Sequence, residues 1–114
     1  VAEVMNIIGD VEGRHCILYD DMCDSGGTLC NAAAALMDQG ASAVSAYVTH
    51  GVMSGNAVEK IEKSVLKEIV IADTIAGSEE AQKSDSVRIL SVAHVIGEAI
   101  RRIANDESIS KMFD

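Results

Sequence analysis

A chain of 114 residues with 48% hydrophobic but only 3% aromatic side chains has enough material for one compact aliphatic core and too little for two, and it does not have the composition of a disordered polymer. Nine basic against eighteen acidic side chains leave a formal net charge of -9, which opposes a nucleic-acid or anionic-membrane footprint. A single phosphate stays open as a ligand, because backbone N–H groups at a helix N-terminus hold one without any lysine.

In chain order, Val4 to Ile8 is a short apolar run, followed by a polar turn from Gly9 to Arg14 and a strand from His15 to Tyr19. A hairpin adding one antiparallel strand to an otherwise parallel sheet accounts for it. Asp20 and Asp21 then fall at the carboxyl end of the strand, before a turn from Asp24 to Thr28. From Leu29 the apolar positions Ala32, Ala33, Leu36 and Met37 repeat at helical spacing, and Gly40 supplies the stop. Ala43 to Thr49 reads as a parallel strand covered on both faces, ending at His50 and a turn from Gly51 to Gly55.

Next, Ala57, Val58, Ile61 and Val65 mark one helix face, with Glu59, Lys60, Glu62 and Lys63 solvated and Ser54 or Asn56 as the cap. Ile69 to Ala72 is a third strand that leads to Asp73 and Thr74, Gly77 to Ser86 a surface loop, and Val87 to Leu90 a fourth strand. The last long helix carries Val92, Val95, Ile96, Ala99, Ile100 and Ile103 on a stripe expected to face the core, with Glu98, Arg101 and Arg102 outside. Asp106 to Phe113 adds a further helical turn or two, with Asp106 as a candidate cap. This succession predicts an α/β, doubly wound, mostly parallel sheet with helices on both faces.

The remaining reactive side chains have plain readings. Cys16, Cys23 and Cys30 are odd in number and fall on a strand, a turn and a helix, so they form neither a disulfide framework nor a metal pattern, and a reducing cytoplasm suits them. Cys23 is the exception to follow, since a thiol near a helix N-terminus is open to acidification. His50 and Asp73 end strands near the expected ligand edge, but a turn or packing role explains each; His94 reads as a surface residue and the Arg101–Arg102 pair as a solvated face. No stretch approaches the ~20 apolar residues of a membrane span, and no signal-peptide pattern opens the chain. Val1 in place of Met suggests a processed chain or a piece of a longer one.

The chemistry concentrates between Asp20 and Thr28. Adjacent carboxylates at a strand end serve to hold Mg²⁺, to accept hydrogen bonds from sugar hydroxyls, or to do acid and base work. Alternation sends the two side chains in different directions, against a shared-proton pair. Ser25, Gly26, Gly27 and Thr28 supply hydroxyls and open backbone N–H groups, and Asp24 is expected to order the turn by accepting backbone hydrogen bonds. Singly, each residue reads as a cap or a tight turn; a strand, two acids, the run Asp24 to Thr28 and then a helix are specific in combination. Neither a Walker A pattern nor GxGxxG is present.

The stretch Ile17 to Leu29 resembles the phosphoribosyl diphosphate motif of phosphoribosyltransferases and of ribose-phosphate diphosphokinase, also called phosphoribosyl pyrophosphate synthetase. The resemblance to the diphosphokinase extends through Val4 to Val11, Ala46 to Gly55, and Glu98 to Ser110, and looks like the C-terminal part of the bacterial enzyme. It implies a phosphoribosyltransferase-like domain over residues 1–114, lacking the N-terminal domain and the flexible catalytic loop. It implies, further, that Asp20 and Asp21 bind ribose hydroxyls with Mg²⁺ nearby, while Asp24, Ser25, Gly26, Gly27 and Thr28 enclose the 5-phosphate of ribose 5-phosphate. The family reaction is attack of the ribose 1-hydroxyl on the β-phosphorus of ATP, giving phosphoribosyl diphosphate and AMP, in a cytoplasmic hexamer.

Several points qualify the likeness. No lysine or arginine lies near the motif to neutralise a transferring diphosphoryl group, so this chain alone is expected to bind without turnover, and no catalytic residue is assigned. Tyr19 and Cys23 stand where the family has aliphatic residues. The alternatives are a phosphoribosyltransferase, which shares the turn but not the tail or the Thr49 to Gly55 stretch, and a noncatalytic regulatory subunit of the same fold, against which the retained Asp20, Asp21 and Asp24 argue. A phosphorelay receiver is more distant, because it needs a strand-end lysine that does not appear after Asp73.

Overall fold

The structure of the chain, a computed structural model, describes residues 6–114. Four strands, β1 (His15–Cys23), β2 (Ala43–Gly51), β3 (Ile69–Ala72) and β4 (Val87–Leu90), form one parallel sheet in the order β1-β2-β3-β4. The connections are α1 (Gly27–Asp38), α2 (Ala57–Lys63) and α3 (Glu79–Lys83), and α4 (Ala93–Ala104) leads to a last turn of 3-10 helix at Ser110–Phe113. The α/β class with its parallel sheet is thus the one expected.

One aliphatic core organises the sheet. Val44, Ala46 and Val48 of β2, Ile69 and Ile71 of β3 and Val87 of β4 meet Leu29 and Ala33 of α1, Ala57, Val58 and Ile61 of α2, and Ala81 of α3. Ile61, Ile69, Ile71 and Val44 are the largest fully buried side chains, each worth ~1.5–3 kcal/mol of transfer free energy. These three helices therefore share one face. The opposite face carries Ile17, Tyr19 and Leu90, which are exposed, and Tyr19 meets Tyr47 edge to face at 5.6 Å between ring centroids.

Helix α1 ends as Gly40 requires: with φ at 95°, the Gly40 N–H donates to Met37 O at 3.0 Å and the Ala41 N–H to Leu36 O at 3.1 Å, the paired bonds of a Schellman stop. Helix α4 ends the same way with Asp106 in the left-handed position, φ 54°, and the Glu107 N–H on Arg102 O at 2.8 Å. Asp106 is a stop for α4 and does not cap the turn that follows.

Several expectations change. Of the proposed first hairpin, Val4 and Met5 lie outside the described residues, and Asn6 to Ile8 form no strand. The loop expected over residues 77–86 contains α3, because the Ser78 hydroxyl caps it by accepting the Ala81 N–H at 3.1 Å and Ala81 is fully buried. Strand β1 runs on through Cys23 rather than stopping at Tyr19; it lies at the edge of the sheet, where water solvates carboxylates within a strand. The stripe of α4 is not core: Ile96, Ile100 and Ile103 are 54%, 62% and 63% exposed.

Candidate functional site

The carboxyl ends of β1 and β2 lie side by side, in register from Asp20 opposite Val48 to Cys23 opposite Gly51. Each strand feeds a tight turn, and the two turns are tied together. The Met53 N–H donates to Cys23 O at 3.1 Å, the Ser54 N–H to Asp24 O at 3.0 Å, and the Ser54 hydroxyl to Asp24 Oδ1. Met53 adopts φ 55°, a left-handed conformation costly for a residue with a Cβ, yet its side chain is buried.

Between β1 and α1 the first turn encloses a cleft of about 200 Å³. Of the seven residues expected at a site, Asp20, Asp24, Ser25, Gly26 and Thr28 line it; Asp21 and Gly27 do not. Met22, Cys23 and Leu29 complete the wall. Asp20 Oδ1 accepts the Asp21 N–H at 2.8 Å, while the Asp21 side chain leaves on the other side of the strand, as alternation requires.

Gly26 occupies the N-cap position of α1 at φ 86°, and no side chain caps the helix. The backbone N–H groups of residues 25–29 have no partner among the described residues, and the first helical bond runs from the Cys30 N–H to Gly26 O at 3.0 Å. A set of unpaired donors at the positive end of a helix dipole is suited to an anion. From behind, α2 supports the turn: a Cβ on Gly26 would stand 3.7 Å from Ile61 Cγ1 and 3.8 Å from Ala57 O. The fully buried Ala57 and Ile61 thus set the floor of the cradle.

Two expectations about single residues are corrected here. Cys23 is 2% exposed, and burial, followed by the neighbouring Cys30, Asp24 and Asp20, pushes its thiol up to about 11. It is a packing residue and no activated nucleophile. Asp24 does not order its turn by accepting that turn's own N–H groups; it accepts Ser54. Asn56 sits at the N-cap of α2 without a side-chain bond, so Ser54 is a partner of the first turn rather than a cap. No local signal could have shown this, because the pair is separated by 30 positions.

Outside the cleft, His50 Nδ1 is 2.7 Å from Thr74 Oγ1, whose hydroxyl donates to Thr49 O at 3.1 Å; both tie β2 to the segment after β3. Asp73 accepts the Val92 N–H at 2.8 Å, a bond that holds its carboxyl below the usual range. Each side chain is thus engaged in a bond between segments. Arg101 and Arg102 converge on Glu98 at 2.8 Å and 2.9 Å, an ion-paired face rather than a freely solvated one.

A Mg²⁺ ion is compatible with this donor set in one way only. Among the described residues no group of three or more His, Cys, Asp or Glu side chains is placed to hold a metal. Mg²⁺ often takes one or two carboxylates and completes its octahedron with water and substrate oxygens, and Asp20 and Asp21 fit that partial role. Among the described residues no helix is long and apolar enough to cross a membrane.

Residues 2–114 match the family model of the phosphoribosyl synthetase-associated domain. The chain is 69% identical over 113 residues to a ribose-phosphate pyrophosphokinase of Hyphomonas neptunium, covering 99% of this chain and 36% of that protein. It is 63% identical over 114 residues to the ribose-phosphate pyrophosphokinase of Maricaulis maris, covering 100% of this chain and 37% of the relative. It thus spans little more than a third of the length of these relatives. In solved structures it superposes on phosphoribosylpyrophosphate synthetase from Mycobacterium smegmatis with a TM-score of 0.81 and 33% identity, over 87% of this chain and 33% of that one. By sequence over nearly its whole length and by fold, this chain belongs to the phosphoribosyl synthetase-associated domain family.

Proposed function

We propose that the chain is the ribose 5-phosphate-binding part of a ribose-phosphate pyrophosphokinase, a transferase of nucleotide biosynthesis that passes the diphosphoryl group of ATP to the 1-hydroxyl of ribose 5-phosphate. The observation that carries this reading is the uncapped N-terminus of α1 behind Gly26, opening on a cleft that Asp20 borders. The N–H groups of the turn, with the Ser25 and Thr28 hydroxyls, receive the 5-phosphate. Asp20 accepts from the ribose hydroxyls. Asp20 and Asp21 are the carboxylates that would hold Mg²⁺, and of the two only Asp20 borders the cleft. Mg²⁺ supplies positive charge beside the sugar and the nucleotide phosphates when bound.

The rest of the reading concerns the assembled enzyme. Residues 1–114 act as the C-terminal phosphoribosyltransferase-like domain of a longer cytoplasmic protein that forms a homo-oligomer and takes no nucleic acid or membrane partner. Within this domain no lysine or arginine borders the cleft, so neutralisation of a transferring diphosphoryl group falls to the metal and to residues outside it. The 114-residue chain therefore binds the sugar phosphate without turning it over.

Calorimetric titration of the chain with ribose 5-phosphate, with and without Mg²⁺, tests the binding, and coupled AMP release from ATP and ribose 5-phosphate tests the turnover. Saturable heat from the parent and at least a tenfold loss in Gly26→Ala, about 1.4 kcal/mol, are expected, with AMP release at the level of a protein-free control. A parent that takes up no ribose 5-phosphate overturns the assignment of the cleft. AMP formation above the control overturns the division of labour.

A further inference from the structure

We propose that Ser54 is a positioning residue for the phosphate turn: its hydroxyl holds the Asp24 carboxylate away from the N-terminus of α1, so that the N–H groups there stay available to an incoming phosphate. The inference deepens the ribose 5-phosphate reading of the same cleft and rests on it for the identity of the ligand. The problem that Ser54 solves is internal competition. Asp24 stands two residues before Gly26, the separation at which an aspartate bonds its own backbone N–H in an Asx turn. A carboxylate is also the side chain that a helix N-terminus attracts most strongly. An untethered Asp24 is therefore a built-in anion for the cradle.

In the structure it is tethered elsewhere. Asp24 Oδ1 accepts the Ser54 hydroxyl, and α1 has no side-chain cap. The tether is not a chance contact of a mobile side chain, because the Ser54 backbone is fixed from both sides. Its N–H donates to Asp24 O at 3.0 Å and its carbonyl accepts the Ala57 N–H at 3.2 Å. The neighbouring Met53 is pinned by its N–H on Cys23 O at 3.1 Å, in a left-handed conformation that persists only where the surroundings impose it. A hydroxyl donating to a carboxylate is a charge-assisted bond, stronger than a neutral one. The end of β2 thus sets the side-chain geometry of the turn that follows β1.

The test compares the 114-residue chain with Ser54→Ala, Ser54→Thr, Asp24→Ala and the Ser54→Ala/Asp24→Ala double variant. Amide NMR spectra of the ligand-free proteins are expected to show Gly26, Gly27 and Thr28 N–H signals displaced by Ser54→Ala, restored by Ser54→Thr, and indifferent to Ser54→Ala once the Asp24 carboxylate is gone. Titration with ribose 5-phosphate is expected to show about tenfold weaker binding for Ser54→Ala and near-parent binding for Ser54→Thr. Displacements of equal size with and without the Asp24 carboxylate would make Ser54 a packing residue and overturn the proposal, as would unmoved signals in Ser54→Ala. A parent that takes up no ribose 5-phosphate refutes the ligand alone, because the amide comparison is made without it.

Discussion

Gly51 ends β2 where nothing larger fits: a Cβ there would stand 2.7 Å from Ile71 Cδ1 and 3.0 Å from Ile71 Cβ, and Ile71 is 1% exposed. Gly51→Ala is expected to destabilise the chain by ~1–3 kcal/mol, read as a lower urea midpoint, and to disturb the turn from Val52 to Gly55 that holds Asp24. At this scale the sequence was most informative where chemistry is local. The small and acidic residues from Asp20 to Thr28 marked the candidate site because the residue types a phosphate turn would need fall within nine consecutive positions. What it hid was pairwise. The partner of Asp24 lies on another strand end, and whether Cys23 faces the helix dipole or the core depends on packing that spacing does not encode.

Among the elements, α4 shows how far periodicity reaches. Its apolar stripe identified the helix and its registration but not its surroundings, since amphipathicity tells which side is apolar and not what lies against it. What fastens the polar side is electrostatic. Glu98 accepts from Arg101 and Arg102, bonds that hold its carboxyl well below the usual 4.5, at about 2. A depressed carboxyl contributes stability above its unfolded value and loses it as pH falls toward the folded one. The last turn of α4 is therefore expected to loosen between about pH 4.5 and pH 2, seen as growing amide exchange at Ile103 to Asp106, with added salt weakening the effect. Glu98→Gln should abolish that pH dependence. Helix α3 escaped the sequence for a different reason: five residues are too few for a period, and its capping Ser78 resembles any loop serine.

As a whole molecule the chain is extended. Its radius of gyration is 16.5 Å with extents of 50 × 35 × 24 Å, against ~13 Å for a compact domain of this size. The core lies on one side of the sheet, and the apolar stripe of α4 is not buried. Stability therefore resides almost wholly on the α1–α2–α3 side of the sheet. Ile61→Ala is expected to cost ~2–5 kcal/mol, while Ile100→Ala, on the exposed stripe, stays within ~0.5 kcal/mol; chemical denaturation monitored by far-ultraviolet circular dichroism separates the two. The parallel order of the strands was legible because each is followed by a helix or by a loop long enough to cross over. The one-sidedness of the core was not, because Ile17 and Leu90 are as apolar as the residues that are buried.

The Tyr19–Tyr47 pair gives that open face an optical property. The chain has two tyrosines and no tryptophan, so all of its tyrosine fluorescence arises from one edge-to-face pair on the uncovered surface, with Tyr19 77% exposed. Whatever comes to lie on that face, whether another protein segment or a second copy, changes the solvent around both tyrosines. Its arrival is readable at native sequence, without a dye or an engineered label.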